Sequence, residues 1–227
     1  MGQPIAGSNP ALSASSRERE RGLCELRPVS YPPLSPPGPF ERPRSSWSKA
    51  DARTVLDWLV GGIESRTDAL VERLGMTWAH RPEDWLHVVE AAIPQRIWSD
   101  ACWLPSSGLE TIKLGTHTID EDLGPRLSAT GEALGVDLGL LLARSLMAEL
   151  GDDAAWIVGN HGRTYVSDKM PVLVGRGTME FDPVLIGSTV ARRWLPNDGQ
   201  HQRPRPPTLG ELHARWLALL SEPSASS

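Results

Sequence analysis

The stretch SATGEALGVDLGLLLARSLMAEL, residues 128–150, decides how this chain is built. Gly131, Gly135, Gly139 and Ala143 follow one another at intervals of four. An α-helix turns once in ~3.6 residues, so these positions share one slowly turning face. Each glycine inside a helix costs roughly 1 kcal/mol relative to alanine. A helix that keeps them at this spacing is predicted to use that face for very close packing. The remaining faces carry Leu134, Leu138, Leu141, Leu142, Leu146 and Leu150. The spacing therefore predicts a central helix from about Ser128 to Leu150, ended by Gly151, with another backbone lying against its glycine ridge. Glu132, Asp137, Arg144 and Glu149 interrupt the apolar run, so the small-residue pattern predicts close packing in water rather than a membrane dimer.

After this helix the periodicity changes. Ala155-Trp156-Ile157-Val158 reads as a strand, and Gly159-Asn160-His161-Gly162 has turn chemistry. Arg163-Thr164-Tyr165-Val166 alternates as a return strand, which predicts a hairpin. Pro171 to Val174 reads as a third strand, with Pro171 at its start where the missing N–H does least harm. Met179-Glu180-Phe181 reads as a fourth. Asp182-Pro183 then opens a helix, aspartate at the N-cap and proline in the first turn.

Before the central helix, Ser48-x-x-Asp51 is a capping box opening a helix that carries Val55, Leu56, Leu59, Val60 and Ile63. Gly61-Gly62 is expected to end or bend it. A second helical stretch, Thr67 to Leu74, stops at Gly75. Arg81-Pro82-Glu83-Asp84 opens a third, which Pro94 is expected to end. Thr111 to Leu114 reads as a short strand. The predicted class is α+β: N-terminal helices, a long central glycine-ridged helix packed on a small, mostly antiparallel sheet, and C-terminal helices.

The division expected along the chain is a disordered Pro/Ser-rich tail over residues 1–45, a single α+β domain over 46–195, and a proline-rich linker over 196–207. A C-terminal helix follows over 208–221, opened by the capping box Thr208-x-x-Glu211, and residues 222–227 read as disordered. The helix could dock on the body or swing free. In the tail, Pro-Pro-Leu-Ser-Pro-Pro is the sort of segment that polyproline-reading modules bind. The plainer reading is a passive tail, or upstream DNA translated from an early start codon.

With 227 residues, 40% of them hydrophobic, the chain can bury one good core. A net charge of -5 argues against broad nucleic-acid binding, which needs a basic face. Lysine is confined to Lys49, Lys113 and Lys169 and asparagine to Asn9, Asn160 and Asn197, whereas arginine, alanine, glycine and proline abound. That bias predicts a GC-rich bacterial genome, such as an actinobacterium's. Cys24 and Cys102 do not make a disulfide framework, and reduced thiols with a cytoplasmic location are expected. The N-terminus lacks a signal peptide's apolar run, and no stretch approaches the ~20 apolar residues of a membrane span.

Candidate sites are sparse. His161 with Asp168 is the best acid–base pair, a histidine at a turn and a carboxylate at the end of the return strand. No nucleophile elbow accompanies it. His117-x-x-Asp120-Glu121-Asp122 carries metal-capable side chains but lacks the calcium-loop pattern and the clustered Cys and His of zinc sites, so it reads as a solvated acidic loop or helix start. Gly175-Arg176-Gly177 is too short for a phosphate cradle. Arg192-Arg193 lies where cations complement a helix C-terminus. Of the nine tryptophans, Trp58, Trp85, Trp156 and Trp194 fall in apolar patterns and read as core. Trp98, Trp103 and Trp216 do not, and are the candidate partner surface.

The order Leu134-Gly135-x-x-x-Gly139-x-x-Leu142, Gly151, Trp156, a hairpin, Pro171-Val172-Leu173 and Phe181-Asp182-Pro183 resembles small uncharacterised bacterial domains, in which a glycine-bearing helix precedes a tryptophan strand and a short sheet. The resemblance covers about Leu127 to Leu195. It implies an α+β fold and no catalytic machinery. No catalytic residue, cofactor or metal is expected. The expected function is a non-enzymatic interaction domain that regulates or neutralises another bacterial protein, its acidic surface steering it toward a basic partner. A protein partner or a homo-oligomer is expected, and neither nucleic acid nor membrane. The competing reading is a small enzyme with its site near His161 and Asp168.

Overall fold

Leucine on three faces and glycine on the fourth give the central helix no solvent side over most of its length. In the computed structural model, which describes residues 31–76, 86–105, 109–114, 117–122, 125–160, 167–196 and 207–222, this helix runs Ala129–Leu150. Ser128 caps it by accepting from the Gly131 N–H, and Gly151 ends it with φ 56°. Every residue from Ala133 to Ala143 is buried.

Among the described residues four more helices stand around it. In chain order they are α1 (Lys49–Arg73), α2 (Leu86–Arg96), the central helix α3, α4 (Pro183–Ala191) and α5 (Leu209–Ser221). The strands are β1 (Trp103–Leu104), β2 (Leu109–Leu114), β3 (His117–Asp122), β4 (Arg126–Leu127), β5 (Ala155–Val158), β6 (Pro171–Val174) and β7 (Glu180–Phe181). They form three antiparallel sheets: β1 with β4, β2 with β3, and β5-β6-β7. The fold is α+β. Leu173 and Phe181 of the three-stranded sheet join the leucines of α3 in the main core.

The backbone lying on the glycine ridge is α4. A Cβ added at Gly139 would stand 1.8 Å from the Pro183 carbonyl oxygen, and one at Gly135 would stand 2.9 Å from Ser188 Cα. The ridge is reciprocated, because a Cβ at Gly187 of α4 would meet the Gly135 carbonyl oxygen at 1.9 Å. At the start of the ridge, a Cβ at Gly131 would meet the Cys102 carbonyl at 2.0 Å. The two helices thus approach backbone to backbone.

Several expectations are corrected. Gly61-Gly62 neither ends nor bends its helix: α1 continues to Arg73, joining the two stretches, and Gly75 follows with φ 66°. Leu59 and Ile63 are buried on either side, and that packing outweighs the propensity of the two glycines. Pro94 does not end α2, which reaches Arg96. Proline removes only its own N–H, and buried Ile93 and Ile97 hold the last turn on the core. The acidic segment His117–Asp122 is neither loop nor helix start but a strand, in register with β2 from Leu109↔Asp122 to Leu114↔His117. Only Gly115 and Thr116 separate the two strands, the spacing of a tight hairpin. The described partner of β5 is β6, with Trp156 opposite Leu173. The return strand expected at 163–166 lies outside the described residues, as do Trp85, the helix start at 81–84 and most of the linker.

The boundary drawn at residue 45 is also corrected. Tyr31 is buried, and residues 31–47 lie along the body as a strap. It is extended from Tyr31, passes through short 3-10 turns at Gly38–Glu41 and Arg44–Ser46, and reaches buried Trp47. Leu34 packs on the core between α1 and α3, and Phe40 sits 5.6 Å, ring centre to ring centre, from both Trp47 and Trp58. Composition alone reads such proline density as unable to collapse, but Tyr31, Phe40 and Trp47 each give the segment a large apolar anchor. The C-terminal helix α5 docks, burying Leu209, Leu212, His213 and Leu220.

Candidate functional site

Where the strap crosses the exposed side of α4 it leaves a cleft of about 330 Å³. Its floor is the outer face of α4 at Leu185, Ser188 and Arg192, which the helical repeat brings into line, with Val184 and Asp182 at the helix start and Glu132 of α3 beside them. Its wall is the strap, through Phe40, Arg42, Arg44 and Trp47, and Met170 closes one end.

The local sequence explains the wall. Trp47 Nε1 donates to the Arg42 carbonyl at 3.2 Å, folding the short turn back on itself. Lys169, the one described non-glycine residue with positive φ (62°), donates from Nζ to the Trp47 carbonyl at 2.5 Å. Arg42 pairs with Asp51 of the α1 capping box, Nη2 to Oδ1 at 2.8 Å. The Ser48 N–H and hydroxyl donate to Asp51 and hold its carboxyl below the usual range.

The floor holds two carboxylates, both engaged. Glu132 Oε2 accepts from the Ser188 hydroxyl at 2.8 Å. Asp182 Oδ2 accepts from the Ser167 hydroxyl at 2.8 Å and Oδ1 from the Leu185 N–H at 3.0 Å. Burial pushes the Asp182 carboxyl up, against these donors and the nearby Arg44 charge. Around these acids stand Arg44, Arg192 and the Arg42 already paired with Asp51, and the rim is apolar at Leu185, which is 42% exposed.

The strap is seated by a second, buried polar group. The Tyr31 hydroxyl donates to Asp137 Oδ2, and Arg66 Nε of α1 donates to Asp137 Oδ1 at 2.6 Å. The Arg73 guanidinium lies over the Tyr31 ring, 5.6 Å from its centre. Burial raises the Asp137 carboxyl while Arg66 pulls it down, and the two donors on its two oxygens suit a carboxylate. Burial, reinforced by the Asp137 charge, pushes the Tyr31 hydroxyl well above its ordinary range.

The residues singled out from sequence lie elsewhere. Trp98, after α2, packs on Trp194 with ring centres 5.7 Å apart. Trp103 stands on β1 opposite Leu127. Trp216 of α5 meets Phe181 edge to face at 5.2 Å. All three are half-buried and none lines the cleft. Asp168 is half-buried outside the cleft, and His161 lies outside the described residues. The sequence reading missed Phe40, Arg42, Arg44 and Trp47. Their signal was aromatic residues in a proline-rich segment, since disordered chains are poor in them. No group of three or more His, Cys, Asp or Glu among the described residues could hold a metal ion, and none of the described helices is long and apolar enough to cross a membrane. No family model, curated protein or solved structure matches the chain.

Proposed function

We propose that this chain is a non-enzymatic interaction domain of the bacterial cytoplasm, which binds another protein and regulates or neutralises it, with the strap–α4 cleft as its contact surface. The carrying observation is the composition of the cleft. Arginine, tryptophan, phenylalanine and methionine meet there around an exposed leucine, and these are residue types that partner surfaces favour and that dominate binding energy. Codon bias and the resemblance to small bacterial domains support the bacterial setting, and the cysteine usage supports the cytoplasm.

The test is a photo-cross-linking residue at position 185, installed in the full chain in its native cells. One dominant heterologous product that is lost with Arg192→Glu, at the exposed end of the floor, is expected. A product between two copies of the chain would replace this reading with self-association, and the absence of any product would end it.

A further inference from the structure

We infer that the strap is a detachable ligand of its own body: the seat it fills across α1 and α3 reads proline-rich, extended segments, and a segment of that kind from another protein takes the seat by lifting Tyr31 to Arg42 away. The inference goes beyond the reading of the strap–α4 cleft and does not rest on it.

The strap repeats every three residues. Tyr31, Leu34, Pro37 and Phe40 are buried or half-buried, whereas Pro32, Pro33, Ser35 and Gly38 are exposed; half-buried Pro36 and Pro39 flank the inward edge. A polyproline II helix turns once in three residues, so positions three apart share one edge. Pro37, with φ -66° and ψ 157°, has that conformation. The 3-10 turn at Gly38–Glu41 also has three residues per turn, which keeps Phe40 on the same side.

The inward side chains meet separate features of the seat. The Tyr31 hydroxyl donates to Asp137 of α3, a carboxylate that Arg66 of α1 also holds, and the Arg73 guanidinium covers its ring. Leu34 packs beside Leu59 and Ile63 of α1 and Val136 and Leu140 of α3. Phe40 lies edge-on to Trp58 of α1. Grooves that read proline-rich segments work in this way, with aromatic and apolar contacts to one edge of a preformed helix. The chemistry of an occupant is thus on view in the strap itself.

The strap is attached as a ligand is and not as a strand is. Among the described residues no backbone-to-backbone hydrogen bond joins 31–42 to the body; the backbone bonds it makes are internal, such as the Phe40 N–H to the Pro37 carbonyl. Five prolines between Tyr31 and Phe40 have no N–H to leave unpaired and little freedom to lose on docking. The tie at the far end, Arg42 to Asp51, is an exposed ion pair of small worth. Beyond it Trp47 is buried and Lys169 donates to its carbonyl, so the chain stays anchored there while the part before it lifts. Phe40 and Arg42 belong to the cleft wall as well, so an occupant of the seat dismantles the cleft.

The probe is a peptide of residues Tyr31–Arg42, acetylated and carrying fluorescein at its C-terminal end, titrated into the full chain. Binding to the parent is expected to be saturable and weak, because the strap competes. Tyr31→Phe in the full chain weakens that competitor and should lower the apparent Kd by about fivefold; the same change in the peptide should raise it by about as much. Leu34→Ala should act likewise, by about tenfold in each direction. A glycine inserted after Leu34 of the peptide takes Phe40 off the three-residue edge and should weaken binding by about tenfold or more. The peptide changes are read on the parent chain and keep the test standing should a strap variant fail to fold. A photo-cross-linking residue in place of Pro37 of the peptide should attach to α1 or α3. No binding to any form of the chain, equal binding of the peptide with the inserted glycine, affinities that the strap changes leave alone, or cross-links elsewhere would each overturn the inference. The same cross-linker at position 37 of the full chain should react within one chain. A product between two copies would overturn the foreign occupant and make the seat a site of strap exchange.

Discussion

The glycine ridge and the strap are two solutions to the same problem, holding one piece of chain against the central helix. On the ridge, α3 and α4 meet backbone to backbone, with no side chain between them at Gly135, Gly139 and Gly187. At the strap, Tyr31 and Arg66 converge on one carboxylate of that helix, Asp137, Leu34 packs beside it, and Phe40 anchors the strap on Trp47 and Trp58. The ridge gains from many small contacts that any added atom would break. The strap gains from few groups, each of which is costly to leave without a partner. Both attach to the same helix, but one is sensitive to volume and the other to charge.

The strongest way to break the comparison is to add volume to the ridge. Gly139→Val would force a branched side chain into the Pro183 carbonyl, and a loss of about 4 kcal/mol or outright failure to fold is expected by urea denaturation. A mild loss, of about 1 kcal/mol as for an ordinary surface change, would mean that α4 can slide and that the ridge is not a rigid seam.

Removing the shared carboxylate comes next. Asp137→Ala leaves Arg66 and the Tyr31 hydroxyl without their acceptor in a buried place, and about 3 kcal/mol should be lost. If the variant is as stable as the parent, the strap is held by its apolar anchors alone.

Tyr31→Phe removes one hydrogen bond and should cost about 1 kcal/mol at neutral pH. Its pH dependence is the sharper readout. An unfolded tyrosine loses its proton near 10.0, whereas seated Tyr31 keeps it. The seat therefore contributes fully below that pH and is lost as pH rises above it, at up to about 1.4 kcal/mol per pH unit. The parent should lose stability faster than Tyr31→Phe above pH 10; parallel melting curves there would show that Tyr31 is not buried in solution.

The smallest effect is a gain. Gly61 lies in α1 with nothing near the place its Cβ would occupy, so Gly61→Ala should stabilise the fold by up to about 1 kcal/mol, read as a rise in Tm. Set beside Gly139→Val, it separates a glycine the fold requires from one it merely tolerates.

The ridge was legible because it is written in one contiguous stretch with a fixed period, and so were the capping boxes at Ser48 and Thr208 and the Asp182-Pro183 helix start. The strap was not. Its seat joins Tyr31 to Asp137 across 106 positions of sequence, and no local pattern announces a contact of that span. The cleft shared this fate, since its wall and floor come from residues 40–47 and 182–192 with Glu132 and Met170 between. One glycine reading is also overturned: Gly61-Gly62 reads as a break only until Leu59 and Ile63 are seen to be buried. The candidate surface of Trp98, Trp103 and Trp216 rested on residue type without neighbours, and two of those rings turned out to have aromatic partners in the fold.

The strap also fixes where this protein can be cut. A boundary set by composition falls at residue 45 and looks harmless, since it removes prolines and serines. It would take away Tyr31, Phe40, Arg42 and Arg44 together, uncovering Trp58 and depriving Asp137 of its Tyr31 donor. Such a shortened chain would keep its glycine seam, yet be less stable and lack one side of the surface for which a purpose is proposed. For this molecule, the piece that is easiest to discard on paper is one whose loss both a melting curve and a binding curve would report.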